Sequence, residues 1–230
     1  MLIAGYHKTT LLDYPGHVAA TVFLGGCNFK CPFCHNAKTL LNPDVNKAIP
    51  EKEILDFLKS RRAVLTAVCI SGGEPTLQAK LADFIFKIKE MGYLVKLDTN
   101  GYSPDVLRVL LDQKLLNYIA MDIKSGFSQY NRASGVSNIN ISLIHESIEI
   151  IQDCGLPYEF RTTVVDRLHT AADFYEIREM LSPKATFYIQ QFVDDGNILT
   201  PGLKPPDPET LEDYLKILRE KIPNCFIRGV

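Results

Sequence analysis

Short apolar runs rich in β-branched residues alternate along this chain with longer stretches in which apolar residues recur every three or four positions. The short runs predict strands and the longer stretches predict helices. Strands are predicted at residues 17–24, 63–70, 93–99, 116–123, 158–165 and 186–192. Helices are predicted at residues 50–61, 78–91, from 103 onwards, 141–153, 171–181 and 207–221. This succession of strand–helix units indicates an α/β fold with a parallel sheet and helices outside it.

Six strand–helix units are too few to close an eight-stranded barrel, so the sequence predicts either an open doubly wound sheet or an incomplete barrel. In both architectures, ligands bind at the carboxyl ends of the strands. Two long loops are predicted, at 125–140 and 194–206, and the strand–helix rhythm resumes after each of them. We therefore expect a single domain over residues 1–230.

The charge balance argues against one broad class of function. The chain has 25 Lys and Arg residues against 27 Asp and Glu, a formal net charge of −2, which does not suit a protein that coats nucleic-acid phosphates. No apolar run approaches the roughly 20 residues of a membrane span. The first residues lack a basic segment followed by a long apolar stretch, so no signal peptide is predicted and we expect a cytoplasmic location.

Three of the six cysteines, Cys27, Cys31 and Cys34, fall within eight residues just after the first predicted strand. Clustered thiols in a reducing compartment indicate a metal or redox site, and soft thiolates suit zinc or an iron–sulfur cluster. A structural zinc needs four ligands, and His35 adjoins Cys34 too closely to serve easily as the fourth. Zinc and three unligated buried thiols stay open as alternatives. The isolated cysteines are interpreted as small buried hydrophobes: Cys69, Cys154 and Cys225.

Glycines and carboxylates follow the next two predicted strands. The second strand ends in Gly72-Gly73-Glu74, where paired glycines let a ligand approach the backbone and the carboxylate can accept from an ammonium group. A pair of glycines after a strand is also an ordinary turn. Asp98 lies just inside the third strand, where a carboxylate must be paired or must bind a ligand.

Charged and amide side chains follow the remaining predicted strands. Asp122 and Lys124 lie two residues apart at the end of the fourth strand and therefore share a face, as an ion pair or as parts of a site. Arg161 lies in the fifth strand, and Gln190 and Gln191 end the sixth. Each residue alone could be an ordinary core polar group. Their recurrence at one edge of successive strands predicts a single functional site there.

The motifs at these strand ends resemble those of a known family. The triad Cys27-x3-Cys31-Pro32-Phe33-Cys34 is the signature of radical S-adenosylmethionine (SAM) enzymes, and residues 72–74 resemble their methionine-amine motif. Within that superfamily the chain resembles the activases of glycyl-radical enzymes, and is most similar to the activating proteins of anaerobic ribonucleoside-triphosphate reductase. The segments that carry this closer resemblance are Leu12-Asp13-Tyr14-Pro15-Gly16, Cys34-His35-Asn36, Asp98-Thr99-Asn100-Gly101 and Asp122-Ile123-Lys124.

The resemblance implies a partial (β/α)6 barrel that holds one [4Fe-4S] cluster on Cys27, Cys31 and Cys34. The iron without a cysteine ligand would bind SAM. An electron from the cluster would cleave SAM to a 5′-deoxyadenosyl radical, which would take a hydrogen atom from a backbone glycine of a partner enzyme. A flavodoxin-like or ferredoxin-like protein would donate the electron. The cofactors supply this chemistry and the protein positions them.

The resemblance also assigns roles to single residues. Phe33, His35 and the peptide edge of Cys34 would lie near the adenine of SAM. The methionine amine would be held by Gly72, Gly73 and Glu74.

The resemblance assigns further roles to residues of the third and later strands. Lys124 would bind the carboxylate of SAM, and Arg161 would be another neighbour of SAM. Asp98 and Asp122 are predicted to hold a monovalent cation.

Activases of pyruvate formate-lyase resemble this chain too, but they place a His near the end of the sixth strand, where this sequence has Gln190-Gln191. We assign Gln190 to the cofactor site, and the difference favours another partner than pyruvate formate-lyase. Three alternatives remain. They are an activase of a pyruvate formate-lyase-like enzyme, a small-molecule radical SAM enzyme like 7-carboxy-7-deazaguanine synthase, and a zinc-binding βα protein without enzymatic activity.

Overall fold

The computed structural model describes residues 1–35, 37, 41, 43–194 and 196–229. Its residues group into two compact units. Unit 1 comprises residues 1–28, 38–99 and 105–119, and unit 2 comprises residues 29–37, 100–104 and 120–230. The expectation of a single domain stays a prediction. Asn36, which the sequence analysis included in one motif, lies outside the described residues.

Unit 1 is built on a mainly parallel sheet. Its strands and helices, in chain order, are β1 (Ile3–Thr10), β2 (Ala19–Leu24), α1 (Glu51–Ser60), β3 (Ala67–Gly72), α2 (Leu81–Glu90), β4 (Leu94–Thr99) and all but the first residue of α3 (Pro104–Asp112). Strands β2, β3 and β4 are parallel neighbours, and β1 pairs with β2 in the antiparallel sense. The helices bury one face each, because apolar residues such as Phe84 and Ile88 in α2 recur four positions apart.

Unit 2 continues the same pattern of alternating elements. It contains the end of β5 (Tyr118–Asp122), then α4 (Tyr130–Ser134), α5 (Ile141–Asp153), β6 (Tyr158–Val164), α6 (Ala171–Met180), β7 (Phe187–Gln191), α7 (Pro208–Arg219) and β8 (Cys225–Arg228). Strands β6, β7 and β8 are parallel neighbours. Just after β5, the Ile123 N–H donates to the carbonyl of Arg161 over 2.9 Å, which fixes the end of β5 beside β6.

The predicted α/β fold with parallel strands is confirmed. The six predicted strands correspond to β2 through β7, and the helix predicted at 141–153 matches α5 at both ends. Strands β1 and β8 were not predicted, because β1 is mostly polar or half-exposed and β8 has only four residues. Helix α4 lies inside a segment predicted to be a loop, since five residues are too few to show a helical period.

None of the helices in the described ranges is long and apolar enough to cross a membrane.

Candidate functional site

The clustered cysteines lie on the segment that follows β2, with Cys27 in unit 1 and Cys31 and Cys34 in unit 2. The N–H of Cys34 donates to the carbonyl of Cys31 over 3.0 Å, so these two residues close a tight turn. The N–H of Thr200 donates to the carbonyl of Pro32 over 2.9 Å and holds this turn in place.

The cysteine side chains fit an iron–sulfur cluster by their chemistry. None of the six cysteines, all of which lie among the described residues, forms a disulfide, and thiolates are the usual protein ligands of such clusters. Cys31 is buried, and its charge is one of the contributions that raise the pKa of Lys124. Among the described residues, however, no group of three or more His, Cys, Asp and Glu side chains has the arrangement of a metal site. The three cysteine ligands therefore stay a prediction.

The two glycines at the end of β3, Gly72 and Gly73, are required by the backbone around them. A Cβ atom on Gly73 would lie 2.1 Å from the carbonyl oxygen of Gly26, and one on Gly72 would lie 2.2 Å from that of Leu24. The N–H groups of Gly73 and Glu74 donate to the carbonyls of Leu24 and Gly26 over 2.8 Å each. The glycines thus let this strand end pack against the segment that leads to Cys27. Their binding of the methionine amine stays a prediction.

Gly73→Ala is expected to lower the free energy of unfolding by about 3 kcal/mol, because a rigid backbone carbonyl occupies the place of the new methyl group. Gly5→Ala in β1 is the matched control, since a Cβ there meets nothing within 4 Å. The control should stay within about 0.5 kcal/mol of the wild type. Urea unfolding followed by circular dichroism measures both variants. Equal stability of the two would contradict the packing role of Gly73.

Glu74 is fully buried and ties the end of β3 to the end of β4. Its Oε1 accepts from the Thr76 N–H over 3.1 Å, from the Thr76 hydroxyl over 2.6 Å and from the Thr99 hydroxyl over 2.8 Å. These bonds satisfy a carboxylate that burial would otherwise penalise. Its predicted contact with the methionine amine is untested.

Asp98 has a lysine partner on its own strand. Its Oδ1 lies 2.5 Å from Nζ of Lys96, a side chain only 2% exposed. The Lys96 ammonium also lies 5.9 Å from the ring centre of Tyr118. The paired carboxylate agrees with the expectation that a charge inside a parallel strand needs a partner. The cation site that includes Asp98 stays a prediction.

Asp122 lies between two positive side chains of unit 2. Its Oδ1 accepts from Nε of Arg161 over 2.5 Å and its Oδ2 accepts from Nζ of Lys124 over 3.1 Å. Although burial alone would raise the pKa of Asp122, the charges of Arg161 and Lys124 hold it well below its ordinary range. Burial would lower the pKa of Lys124, but Asp122 raises it above its usual value. All three groups are therefore charged at neutral pH.

The ion pairs continue across the neighbouring strands. Nη1 of Arg161 lies 3.8 Å from Glu159, and Arg228 of β8 donates to both oxygens of Glu159 over 3.2 Å. In the parallel register Thr163 pairs with Gln190, and Thr163 lies two residues from Arg161. Because side chains alternate along a strand, Gln190 rather than Gln191 shares the face of Arg161. Its part in the cofactor site stays a prediction.

Phe33 and His35 pack against other rings in unit 2. The buried ring of Phe33 meets the ring of His169 edge to face, with centres 6.0 Å apart. The ring of His35 lies 5.5 Å from that of Phe192. The contact of Phe33, His35 and the peptide of Cys34 with adenine stays a prediction.

His169 connects several of these groups and was missed by the sequence analysis. Its Nδ1 accepts from the N–H of Val165 over 3.1 Å, so its Nε2 carries the proton and donates to the carbonyl of Lys124 over 2.8 Å. The buried ring thus holds the end of β6 to the residue after β5 that carries the lysine. The rule that site residues follow the strand ends could have found His169, because this residue also comes after the carboxyl end of a predicted strand.

His169→Gln is expected to reduce the free energy of unfolding by about 2 kcal/mol at neutral pH, because two buried hydrogen bonds are disturbed. Burial lowers the pKa of His169, so the folded state resists a proton that the unfolded state accepts below pH ~6.5. Wild-type stability should therefore fall as the pH drops from about 7 to 5, and this slope should be smaller in the variant. Urea unfolding at both pH values tests this.

The control for this prediction is His145→Gln, since His145 is about half exposed and its Glu149 partner is on the surface. We expect the control to keep wild-type stability within about 0.5 kcal/mol. If the stability of His169→Gln depends on pH as strongly as that of the wild type, His169 is not the source of the pH dependence.

Comparison of the sequence with known families identifies the class of protein to which this parallel α/β fold and cysteine loop belong. The chain belongs to the radical SAM superfamily, whose sequence model matches residues 21–181. In solved structures, Streptococcus suis SuiB bound to S-adenosylmethionine superposes with a TM-score of 0.65 at 16% identity, covering 88% of this chain and 48% of that one. This likeness confirms the predicted partial-barrel fold, and the chain spans about half the length of that structure.

Similar sequences show to which proteins within this superfamily the chain is related. A protein of Methanocaldococcus jannaschii named "Putative glycyl-radical enzyme activating enzyme MJ1227" is 33% identical over 238 residues, which cover 100% of this chain and 96% of that protein. The chain is thus a member of that protein's family. The pyruvate formate-lyase-activating enzyme of Clostridium pasteurianum is 32% identical over 151 residues, covering 58% of this chain and 62% of that enzyme.

Proposed function

We propose that this protein is a radical SAM activase that installs a glycyl radical on a partner enzyme. The observation that carries the proposal is the end-to-end similarity to a protein named as an activating enzyme of glycyl-radical enzymes, together with the cysteine triad at 27–34. The family resemblance of the sequence motifs favours anaerobic ribonucleoside-triphosphate reductase as the partner. Gln190, where pyruvate formate-lyase activases place a histidine, supports this choice.

The residues of the chain have distinct tasks in this proposal. Cys27, Cys31 and Cys34 would bind a [4Fe-4S] cluster, which supplies the electron that cleaves SAM. Lys124 would bind the carboxylate of SAM, since its ammonium stays charged and Asp122 fixes its position over 3.1 Å. Arg161 would keep the Asp122 carboxylate in place and add positive charge for the same anionic group.

Other assignments of the proposal rest on the family motifs. Gly72 to Glu74 would hold the methionine amine, and Phe33 and His35 would border the adenine. A monovalent cation would bind Asp98 and Asp122. A flavodoxin-like or ferredoxin-like protein would reduce the cluster. Cysteines that form no disulfide in the described part of the chain suit the reducing cytoplasm, where we place the protein.

The decisive experiment combines the anaerobically reconstituted, reduced protein with SAM and an anaerobic ribonucleotide reductase subunit. We expect 5′-deoxyadenosine to form and an electron paramagnetic resonance doublet of a glycyl radical to appear on the partner. A reductase with the radical-bearing glycine replaced by alanine is the control and should give no doublet. Radical formation only on a pyruvate formate-lyase-like partner would redirect the partner assignment, and none on any glycyl-radical enzyme would overturn the proposal.

Two assays separate the alternative functions. SAM-dependent turnover of a small-molecule substrate without a protein partner would favour a small-molecule enzyme of the 7-carboxy-7-deazaguanine synthase type. One zinc per chain, with neither iron nor sulfide after anaerobic purification, would favour the zinc-binding protein.

A further inference from the structure

A basic cavity lies in unit 2 just beyond the end of β6, with a volume of about 330 Å³. Among the described residues that line it, three are basic, Arg132, Arg167 and Lys204, and one is acidic, Asp166. The whole chain has a formal net charge of −2, so this excess of positive charge is local. A concave surface of one sign attracts a partner of the opposite sign, and the cavity therefore suits an anionic partner.

The acidic residue of the cavity offsets little of its positive charge. Nε of Arg167 lies 3.6 Å from Oδ2 of Asp166, but the two side chains are 91% and 45% exposed, so water screens the pair. Nη2 of Arg132 donates to the carbonyl of Arg167 over 2.6 Å, and a carbonyl oxygen fixes a guanidinium without neutralising it. The cavity thus presents the fixed charge of Arg132 beside the exposed charges of Arg167 and Lys204.

One wall of the cavity is fixed to the residue before Cys31. This wall is α4, which carries Arg132. The carbonyl of Ser134, the last residue of α4, accepts from the N–H of Lys30 over 2.8 Å. A Cβ atom on Gly135 would lie 2.1 Å from the Lys30 carbonyl oxygen, so the two segments pack backbone against backbone. The chain before Cys31 is therefore held against this wall.

A second wall is fixed to the residue after Cys31. This wall is the segment before α7, which carries Lys204. The N–H of Asp166 donates to the carbonyl of Lys204 over 2.9 Å and holds the segment beside the end of β6. Four residues before Lys204, the N–H of Thr200 donates to the carbonyl of Pro32 over 2.9 Å. Cys31 thus lies on a short stretch of chain that is tied on both sides to walls of the basic cavity.

This position favours one kind of anionic partner. Cys31 is a predicted ligand of the cluster, and electron transfer slows steeply with distance, so a protein that reduces the cluster has to dock close to this cysteine. Two large apolar side chains of the segment before α7, Val193 and Leu199, are also exposed. They would supply apolar contact that a protein partner buries and that a small anion does not need.

We propose that the cavity lined by Arg132, Arg167 and Lys204 is the docking site for an acidic electron-transfer protein of the flavodoxin or ferredoxin class. This inference rests on the proposed function, because only a protein with a reducible cluster needs such a donor. The docked donor passes one electron to the cluster, so the donor is oxidised by one electron, the cluster is reduced by one, and no bond forms or breaks. The positive charge steers the acidic donor and speeds its association.

The test reverses the charges of the two exposed side chains in the double variant Arg167→Glu with Lys204→Glu. Isothermal titration calorimetry measures its affinity for an oxidised acidic flavodoxin and, in a second series, for an oxidised acidic ferredoxin. At low ionic strength we expect the dissociation constant for the donor to rise about tenfold over that of the wild type. At about 1 M salt, where the Debye length falls to about 3 Å, the difference should shrink below about threefold.

Lys184→Glu with Lys216→Glu is the matched control. Both lysines are exposed residues of unit 2 outside the cavity lining, and their reversal changes the net charge by the same amount. The control should keep the wild-type affinity for the donor within about twofold. All three proteins should have the same circular dichroism spectrum, because the substituted side chains lie on the surface.

Dithionite as the reductant separates this inference from the proposed function. No protein donor has to dock in that case, so wild type, double variant and control should form 5′-deoxyadenosine from SAM at equal rates. With reduced flavodoxin below saturation, the double variant alone should be slower, by about tenfold. A wild type that forms no 5′-deoxyadenosine with dithionite defeats the proposed function and with it the need for a donor.

Three results would overturn the docking site itself. One is a double variant that binds both donors as tightly as the wild type at low salt, or a wild type that binds neither. Another is a loss of affinity that the control shares or that high salt does not reduce, because the cavity charge would then not be its cause. The last is weaker binding of the glycyl-radical enzyme with unchanged binding of the donor, which would assign the cavity to that enzyme.

Discussion

Cys31→Ala is expected to abolish iron–sulfur cluster binding and to leave the protein folded. A cluster held by three cysteines loses a third of its protein ligands, and a methyl group cannot replace a thiolate. The fold does not depend on the metal, because both units have apolar cores of their own, for example Ile70 and Leu97 in unit 1 and Ile148 and Phe187 in unit 2. Iron and sulfide per chain and the absorbance near 400 nm measure the loss.

The matched control is Cys225→Ala, which removes a buried thiol from β8. Burial raises the pKa of Cys225 to about 12, so this thiol keeps its proton and is a poor metal ligand. The control should bind as much iron as the wild type. Both variants should keep the wild-type circular dichroism spectrum, with a stability loss of about 1 kcal/mol from the missing sulfur. Full iron content in Cys31→Ala, or its unfolding, would contradict the prediction.

The order of strands and helices could be predicted from the sequence because each long element repeats its apolar residues with one clear period. The helix at 141–153 has buried Ile144, Ile148 and Ile151 at helical spacing, and its ends match the prediction. Short elements lack such a pattern. Strand β8 has four residues and α4 five, so neither contains enough repeats to stand out from a loop. The antiparallel β1 falls outside a strand–helix rhythm altogether.

The candidate site could be predicted only in part, because a strand-end rule finds residues but not their partners. Asp122 and Lys124 were expected on one face, and their ion pair confirms this. Arg161 of the neighbouring strand pairs with the same carboxylate. This pairing depends on the register of the two strands, which no local sequence pattern shows. The packing role of Gly73 depends equally on the backbone of a neighbouring strand. His169 was overlooked although the same rule applies to it.

Asp122→Asn is expected to reduce the free energy of unfolding by about 3 kcal/mol at pH 7, because it leaves Arg161 and Lys124 close together without their shared carboxylate. This expected loss of stability is at the lower end of the range for breaking a buried ion pair, since the Asp122 side chain is 28% exposed. The control is Asp56→Asn, whose Lys52 partner is on the surface, and it should change stability by less than about 0.5 kcal/mol. Urea unfolding measures both.

The pH dependence of the stability difference between wild type and Asp122→Asn shows whether the effect comes from the carboxylate charge or from the packing of the amide. The folded protein lowers the pKa of Asp122, so the charge stabilises the fold fully above the unfolded pKa of about 4, and this contribution is lost as the pH falls further. The gap in stability between wild type and Asp122→Asn should therefore be constant from pH 7 to 5 and shrink between pH 4 and 3. A gap that stays constant down to pH 3 would assign the effect to packing of the amide. Because Asp122 also orients Lys124, the variant should bind SAM more weakly with its iron content unchanged, which distinguishes the carboxylate from the cysteines.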